Sequence, residues 1–299
     1  MKILLLGGSG MLGSDCKEVL SQEYEVISPS SKDLDITSWD MVIETLQKIK
    51  PHIILNCAGF SDVDACEKEE FLVKKVNVEG PRNLAQGSAR YNCRMIHIST
   101  DYVFSGQKAL PRPYFEDDPI DPISAYGRSK VESEVAIKEN SPNYIILRTA
   151  WLYGKNRDNF VNSIIKSAVE KTKGIKVFED QFGSPTWTYR LAIQIKELLH
   201  SDLKGTFHAT SEGSCSRLEC ARNIINKLKL KVTLKPSSIK GHHSAVKRPG
   251  NCVLENRLMK KAGLNIMLEW KEDLDIYLDQ FGKDIINEIK QKEIKINKR

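Results

Sequence analysis

The sequence predicts an α/β fold, a doubly wound parallel sheet followed by a smaller α/β domain. Three observations carry this. Short uninterrupted apolar runs alternate with longer amphipathic ones through the first half of the chain. That is the pattern of strands buried on both faces by crossover helices. A glycine-rich turn separates the first apolar run from the first amphipathic one. The length of 299 residues corresponds to about two domains.

Taken in order, Lys2–Leu6 reads as the first strand and Met11–Leu20 as the first helix. Tyr24–Ser28 is a second short strand. Thr37-Ser38-Trp39-Asp40 has the form of a capped helix start, and that helix runs to Lys50, where Pro51 stops it. His52–Asn56 is a third strand, followed by a polar loop. A long helical stretch covers Glu69–Ala89, with Gly80 and Pro81 as a kink or break. Arg94–Ser99 is a fourth strand, Ser124–Asn140 a helix and Tyr144–Arg148 a fifth strand. Beyond that the pattern loosens. Phe160–Lys171, Tyr189–His200 and Arg217–Leu228 read as helices, and Gly205–Thr210 as a strand. The best single cut falls near residue 150, giving domains 1–150 and 151–299, with segments of the second free to return to the first. The Lys-rich tail reads as a solvated helix end or frayed terminus.

Composition narrows the function. Hydrophobic residues make up 40% and charged residues 28%, ordinary globular values that exclude a disordered, collagenous or coiled-coil chain. No apolar run approaches the ~20 residues of a membrane span. The opening apolar stretch stops at Gly7, short of the roughly 7–15 residues of a signal peptide core. A cytoplasmic protein is expected. The net charge is +6, and the last seventeen residues supply half of it. The body is therefore nearly balanced, which favours no nucleic-acid surface. Seven cysteines, an odd number with no CxxC pair, argue against a disulfide framework or a zinc ribbon and for reduced structural thiols.

The turn Gly7-Gly8-Ser9-Gly10-Met11-Leu12-Gly13 fits Gly8-x-Gly10-x-x-Gly13 and also Gly7-x-x-Gly10-x-x-Gly13. Glycine permits the tight turn and lets backbone approach a pyrophosphate, while the helix N-terminus offers free N–H groups to the anion. Dinucleotide binding is expected. After the second strand stands Ser28-Pro29-Ser30-Ser31-Lys32, with no acid before Asp33. Hydroxyls and a lysine suit a 2′-phosphate, so NADPH is expected ahead of NADH; the plain alternative is an exposed polar loop.

Tyr126-Gly127-Arg128-Ser129-Lys130 sets a phenol and an ammonium four residues apart on one helix face. A cation beside a phenol favours the phenolate and lowers its pKa, which would suit acid–base work near neutrality. Ser99-Thr100-Asp101 ends the fourth strand, at the edge where such sheets hold ligands, and a hydroxyl there reaches a substrate carbonyl. The phenol, ammonium and hydroxyl together with the glycine turn make a candidate catalytic site.

These motifs resemble the extended short-chain dehydrogenase/reductase superfamily, and within it the dTDP-4-dehydrorhamnose reductase family. The similarity also rests on Asp35-Ile36-Thr37, Asn56-Cys57-Ala58-Gly59-Phe60, Val76-Asn77, Ile98 through Gly106, Arg148 through Gly154, Asn159-Phe160-Val161, Asp180 through Thr186 and Lys247-Arg248-Pro249-Gly250. The run Ser-Thr-Asp-Tyr-Val-Phe is the most specific. The resemblance implies a Rossmann-type domain with a C-terminal substrate-binding domain. It implies that Gly7, Gly10, Met11, Leu12 and Gly13 line the pyrophosphate, Asp35 and Ile36 the adenine, and Ala58, Gly59 and Phe60 the ribose and nicotinamide. Thr100, Asp101, Tyr102 and Trp151 would face the sugar. Tyr126 would donate the proton, and Lys130 would hold the nicotinamide ribose and tune Tyr126. The implied reaction is hydride transfer to the 4-keto group of a nucleotide-activated deoxysugar, in polysaccharide precursor synthesis. The resemblance allows a homodimer.

Some members of the family bind magnesium through an acidic cluster at a dimer contact. Here Pro185-Thr186 is followed by Trp187, Thr188, Tyr189 and Arg190, so no metal is expected. Cys215 and Cys220 near His208 lack a fourth ligand at usable spacing and read as packing. Arg248 suits either a diphosphate or an exposed ion pair. Trp151 suits either a sugar platform or the core, its place past a strand end favouring the platform. The same fold also serves as the non-catalytic regulatory subunit of methionine adenosyltransferase, and sibling nucleotide-sugar reductases or epimerases share it, so fold alone does not choose.

Overall fold

The computed structural model describes residues 1–170, 174–239 and 246–296, of which 293–296 are helix backbone. Lys171 and the tail residues Lys298 and Arg299, counted in the expectations above, lie outside it.

The first half alternates as expected. Strand β1 (Lys2–Leu6) leads through the glycine turn into α1 (Met11–Leu20), then β2 (Glu25–Ile27), α2 (Trp39–Ile49) and β3 (Ile53–Asn56). After β3 come α3 (Val63–Cys66), α4 (Glu70–Lys74), a π turn (Lys75–Glu79) and α5 (Gly80–Arg90). Then follow β4 (Arg94–Thr100), α6 (Ala125–Asn140) and β5 (Tyr144–Thr149). Ser38 caps α2 by accepting from Met41 N–H, and Lys50 closes it in the left-handed conformation before Pro51. Ser124 caps α6 through Gly127 N–H.

The expected break at Gly80-Pro81 is not there. The irregularity is the π turn just before it, with Pro81 in the first turn of the resumed α-helix. A proline there gives up an N–H, and a widened turn absorbs the displaced bonding. The polar loop after β3 also hides the four-residue α3, capped by Asp62 through Ala65 N–H.

In the second half the elements are β6 (Leu152–Tyr153), α7 (Phe160–Val169), β7 (Ile175–Phe178), β8 (Phe182–Gly183), β9 (Thr186–Trp187), α8 (Thr188–Leu198) and β10 (Gly205–His208). They continue through β11 (Cys215–Ser216), α9 (Arg217–Lys227), β12 (Leu234–Ser237), β13 (Asn251–Cys252), α10 (Arg257–Lys261) and α11 (Trp270–Ile296). The two-residue strands carry no periodicity to read. The described part of the tail is the helix end of the two expectations: it continues α11, which buries Leu274, Tyr277 and Leu278 against α7 and α9.

One parallel sheet runs β10-β5-β4-β3-β1-β2. Leu4 pairs with Ile27 on one side and Ile54 on the other, and Thr100 with Thr149. Its two faces are covered separately. Leu12, Cys16 and Val19 of α1 pack with Leu191 and Ile195 of α8 over Ile3, Leu5 and Leu55. Val42, Leu46, Leu84 and Ile137 cover Leu4, Ile54 and Ile146. This is the Rossmann-like α/β architecture that the sequence predicts. Strand β10 belongs to the sheet although it follows residue 150, because its Phe207 pairs with Leu147 of β5. The order of winding reverses between β1 and β3, and such a switch point opens a ligand crevice at the carboxyl ends of the strands.

Candidate active site

The glycine turn is built at that crevice. Gly7 has φ +74°, and a Cβ on Gly13 would lie 2.0 Å from the Gly7 carbonyl oxygen. Only glycine lets α1 close so tightly on β1. The Gly10 N–H bonds back to the Gly7 carbonyl at 2.9 Å. Helix α1 starts at Gly10 with no side-chain cap and no acid in its first turn, so its first N–H groups and the positive end of its dipole are left for an anion. The cradle fits a pyrophosphate. Met11 is half-buried, whereas the Leu12 side chain lies in the core, so Leu12 offers its N–H alone.

The other expected cofactor residues follow β2 and β3 in the chain. Asp35 is exposed, and its carboxylate accepts from Thr37 N–H at 2.9 Å. Ile36 is buried beside Gly80, and its carbonyl accepts from Asn83. The 58–60 loop is pinned by two asparagines. Asn56 accepts from Ala58 N–H at 3.0 Å. Asn77, in the π turn, accepts from Phe60 N–H at 2.7 Å and donates to Phe60 O at 2.9 Å and Ser129 Oγ at 3.0 Å. Asn77 ties the loop to α6. Sequence reasoning passed over it as part of a matching pair, though a buried polar residue inside a helix was the available signal.

The reacting groups stand at the end of β4 and on the first turns of α6. A Cβ on Gly127 would meet the Tyr102 carbonyl oxygen at 2.3 Å, so this glycine lets α6 press against the turn after β4. The Tyr102 and Tyr126 rings meet edge-on, 5.7 Å between centroids. Thr100 Oγ1 donates to Asp101 Oδ1 at 2.9 Å. Asp101 is almost fully buried, and its Oδ2 has no partner among the described residues. Burial pushes its carboxyl up to about 6, while the nearby Cys252 thiol and the Thr100 hydroxyl pull it down.

Tyr126 departs from the expected tuning. Burial raises its pKa and the Asp101 charge adds to that, while Thr100 draws it down. Lys130 does not act on it. The Lys130 ammonium is turned under the sheet edge, 2.7 Å from Ile98 O and 3.0 Å from His97 Nε2. Sharing a helix face did not suffice, because the buried Ile98 carbonyl takes an N–H of the amine. A phenol with a raised pKa holds its proton at neutral pH, the state a proton donor requires.

Trp151, expected to face the sugar, has a neighbour that sequence reasoning missed. It adopts φ +47°, packs against Gly183, and carries the Arg217 guanidinium 3.5 Å above its ring centroid. The indole is stacked by a cation, so Arg217, which no sequence motif marks, is a neighbour of the group expected to face the sugar. Burial lowers the Arg217 pKa, with Cys252, Tyr102 and Asp101 opposing. Arg248 bonds Asp64 at 2.6 Å, the ion-pair outcome of the two considered. Arg190 pairs with Asp273 at 3.0 Å. Cys215 and Cys220 are buried in the second core, and His208 bonds the Glu255 carbonyl instead. Among the described residues no group of three or more His, Cys, Asp or Glu is placed to hold a metal, and no helix is long and apolar enough to cross a membrane.

The chain matches the family described as RmlD substrate binding domain over residues 1–283. It is 35% identical to the spore coat polysaccharide biosynthesis protein SpsK of Bacillus subtilis, covering 93% of this chain and 97% of that protein. It is 34% identical to a dTDP-4-dehydrorhamnose reductase of Aggregatibacter actinomycetemcomitans, covering 87% and 92%. Among solved structures, a dTDP-4-dehydrorhamnose reductase from Bacillus anthracis in complex with NADP superposes with TM-score 0.89 at 36% identity, covering 93% and 99%. One from Clostridium acetobutylicum reaches TM-score 0.90 at 37% identity, covering 94% and 100%. A Thermus thermophilus UDP-glucose 4-epimerase at 17% identity and TM-score 0.80 shares the fold.

Proposed function

We propose that this chain, which belongs to the family described as RmlD substrate binding domain, reduces the 4-keto group of a dTDP-activated deoxysugar with NADPH, dTDP-4-dehydrorhamnose being the first substrate to try. Keto reduction of a nucleotide sugar is the activity in the names of its reductase relatives. The observation that carries the reading is a loaded phenol, Tyr126, acted on by Thr100 at the carboxyl end of β4, in the same parallel sheet whose β1 ends in the cradle at Gly7–Gly13.

A bound NADPH supplies the hydride. The chain's own residues do the rest. The α1 N-terminus and the glycine turn hold the pyrophosphate, and the 58–60 loop, fixed by Asn56 and Asn77, borders the nicotinamide side. Lys130 donates to the nicotinamide ribose. As the ketone carbon is reduced, negative charge grows on its oxygen, and the Thr100 hydroxyl turns from Asp101 to donate its hydrogen bond to it. Tyr126 transfers its O–H proton to that oxygen, leaving a phenolate. An alkoxide is a far stronger base than a phenolate, so even a raised phenol gives up its proton. Asp101, Tyr102, Trp151 and Arg217 surround the sugar.

NADPH is favoured over NADH by Ser28 and Lys32 beyond β2, where the nearest carboxylate, Asp33, already accepts from the Ser30 N–H and hydroxyl and is not left to claim a ribose diol. The division near residue 150, with later segments returning, assigns the cofactor to the first part and the sugar to the second. A cytoplasmic location and a homodimer belong to the same proposal; the seven free cysteines suit a reducing compartment.

The test is loss of reduced-nicotinamide absorbance when the protein is mixed with NADPH or NADH and a panel of 4-keto nucleotide sugars. Turnover with the dTDP-4-keto sugars is expected. Tight NADPH binding with no turnover across the panel would instead support a non-catalytic binding subunit.

A further inference from the structure

His97 is a fully buried histidine of β4 that the proposed reaction does not use. Its Nδ1 lies 3.0 Å from Asn56 Nδ2. Its Nε2 lies 3.0 Å from Lys130 Nζ and 2.8 Å from Ser133 Oγ. The Asn56 amide is fixed from its other end, because its Oδ1 accepts from Ala58 N–H. Its Nδ2 therefore faces the imidazole, and an amide nitrogen only donates. His97 Nδ1 must accept, so the neutral ring carries its proton on Nε2.

That N–H faces two groups. The Ser133 hydroxyl has lone pairs to receive it. A Lys130 ammonium has none, so against the ammonium two donors stand 3.0 Å apart. A neutral amine at the same place would accept the proton and relieve the conflict.

We infer that His97 is a positioning residue whose Nε2–H, fixed in that tautomer by Asn56, favours the amine form of Lys130 and so sets the pH at which Lys130 ceases to hold the cofactor ribose. The inference rests on the reading of Lys130 as the ribose-binding group.

The surroundings agree. Burial lowers Lys130 to about 8, while Glu134 one turn on along α6 and Cys57 just after β3 pull it up. Arg148 on β5 occupies the Glu134 carboxylate at 2.7 Å, which weakens that pull. The Ile98 carbonyl of β4 takes one N–H of the amine at 2.7 Å. Tyr126 lies one turn earlier on α6 and is held neutral. His97 cannot resolve the conflict by charging, since burial first and the Lys130 charge second keep its pKa well below the ordinary value.

The experiment is NADPH affinity, read by nicotinamide fluorescence, across neutral to alkaline pH. In the unsubstituted protein the affinity should weaken with a midpoint near 8. In His97→Gln the side-chain carbonyl can accept from the ammonium, and the midpoint should rise by roughly one pH unit. In Ser133→Ala the imidazole N–H loses its other acceptor and turns wholly to Lys130, so the midpoint should fall. Shifts of opposite sign are a result that loosened packing does not produce. Midpoints that stay put, or move together, overturn the inference. A midpoint that survives in Lys130→Met, or no NADPH binding at all in the unsubstituted protein, overturns the ribose reading beneath it as well. Ser133→Ala, a small change, remains decisive if His97→Gln does not fold.

Discussion

Replacing Asn77 with alanine should damage stability and cofactor binding together. The side chain is 1% exposed and makes three hydrogen bonds, two to the main chain of Phe60 and one to Ser129 Oγ. Ser129 Oγ in turn donates to Tyr126 O at 2.7 Å. One amide thus joins the 58–60 loop to the helix that carries the phenol. Each bond is worth about 0.5–1.5 kcal/mol net, and a buried group left unpaired costs about 1–3 kcal/mol. The Phe60 groups are only partly buried, so water recovers some of this, and about 2–4 kcal/mol is expected overall. Urea unfolding followed by tryptophan fluorescence reads the change as a lower midpoint at constant slope. Repeating it with saturating NADPH separates the loop from the rest. If about 1.4 kcal/mol of the loss falls on ordering the loop, NADPH binds about tenfold more weakly. A loss below about 1 kcal/mol, with NADPH affinity unchanged, would refute the clamp.

Other substitutions probe separate links. Tyr126→Phe should abolish reduction while NADPH still binds in a fluorescence titration; lost binding would make the residue structural. Gly13→Ala places a methyl 2.0 Å from a backbone oxygen, so NADPH affinity should collapse even where the circular dichroism spectrum is kept. Glu134→Gln leaves Arg148, 1% exposed, as an uncompensated buried charge, and denaturant unfolding should show a loss of about 3–5 kcal/mol. Asp101 charges as pH rises through about 6, and its charge disfavours the phenolate that Tyr126 must become. The kcat should therefore fall as pH rises through that value, and Asp101→Asn should remove this limb from the kcat profile while sparing the rest.

Much of the first half was legible because its signals are local. Strand β1 is a lysine and four apolar residues ended by glycine, and α2 and α6 begin at serines that do cap them. The glycine turn could be read because its spacing answers to a steric need that Gly13 meets at one atom. What escaped depends on contacts between distant segments. The π turn at Lys75–Glu79 leaves no mark in periodicity, and Gly80-Pro81 drew attention away from it. The Lys130 amine was expected beside the phenol, yet Ile98, some thirty residues away in sequence, holds it elsewhere. Arg217 meets Trp151 only after the second half has folded back over the sheet edge. The two-residue strands β6, β8 and β9 exist through pairing alone.

The central claim is that Tyr126 completes a hydride transfer to a sugar ketone. It is met most directly by supplying NADPH deuterated at the transferable position together with dTDP-4-dehydrorhamnose, and reading the product by nuclear magnetic resonance. Deuterium at C4 of the reduced sugar, absent when Tyr126→Phe is used, is the predicted result. NADPH bound but unspent, with the sugar ketone returned intact, would contradict it.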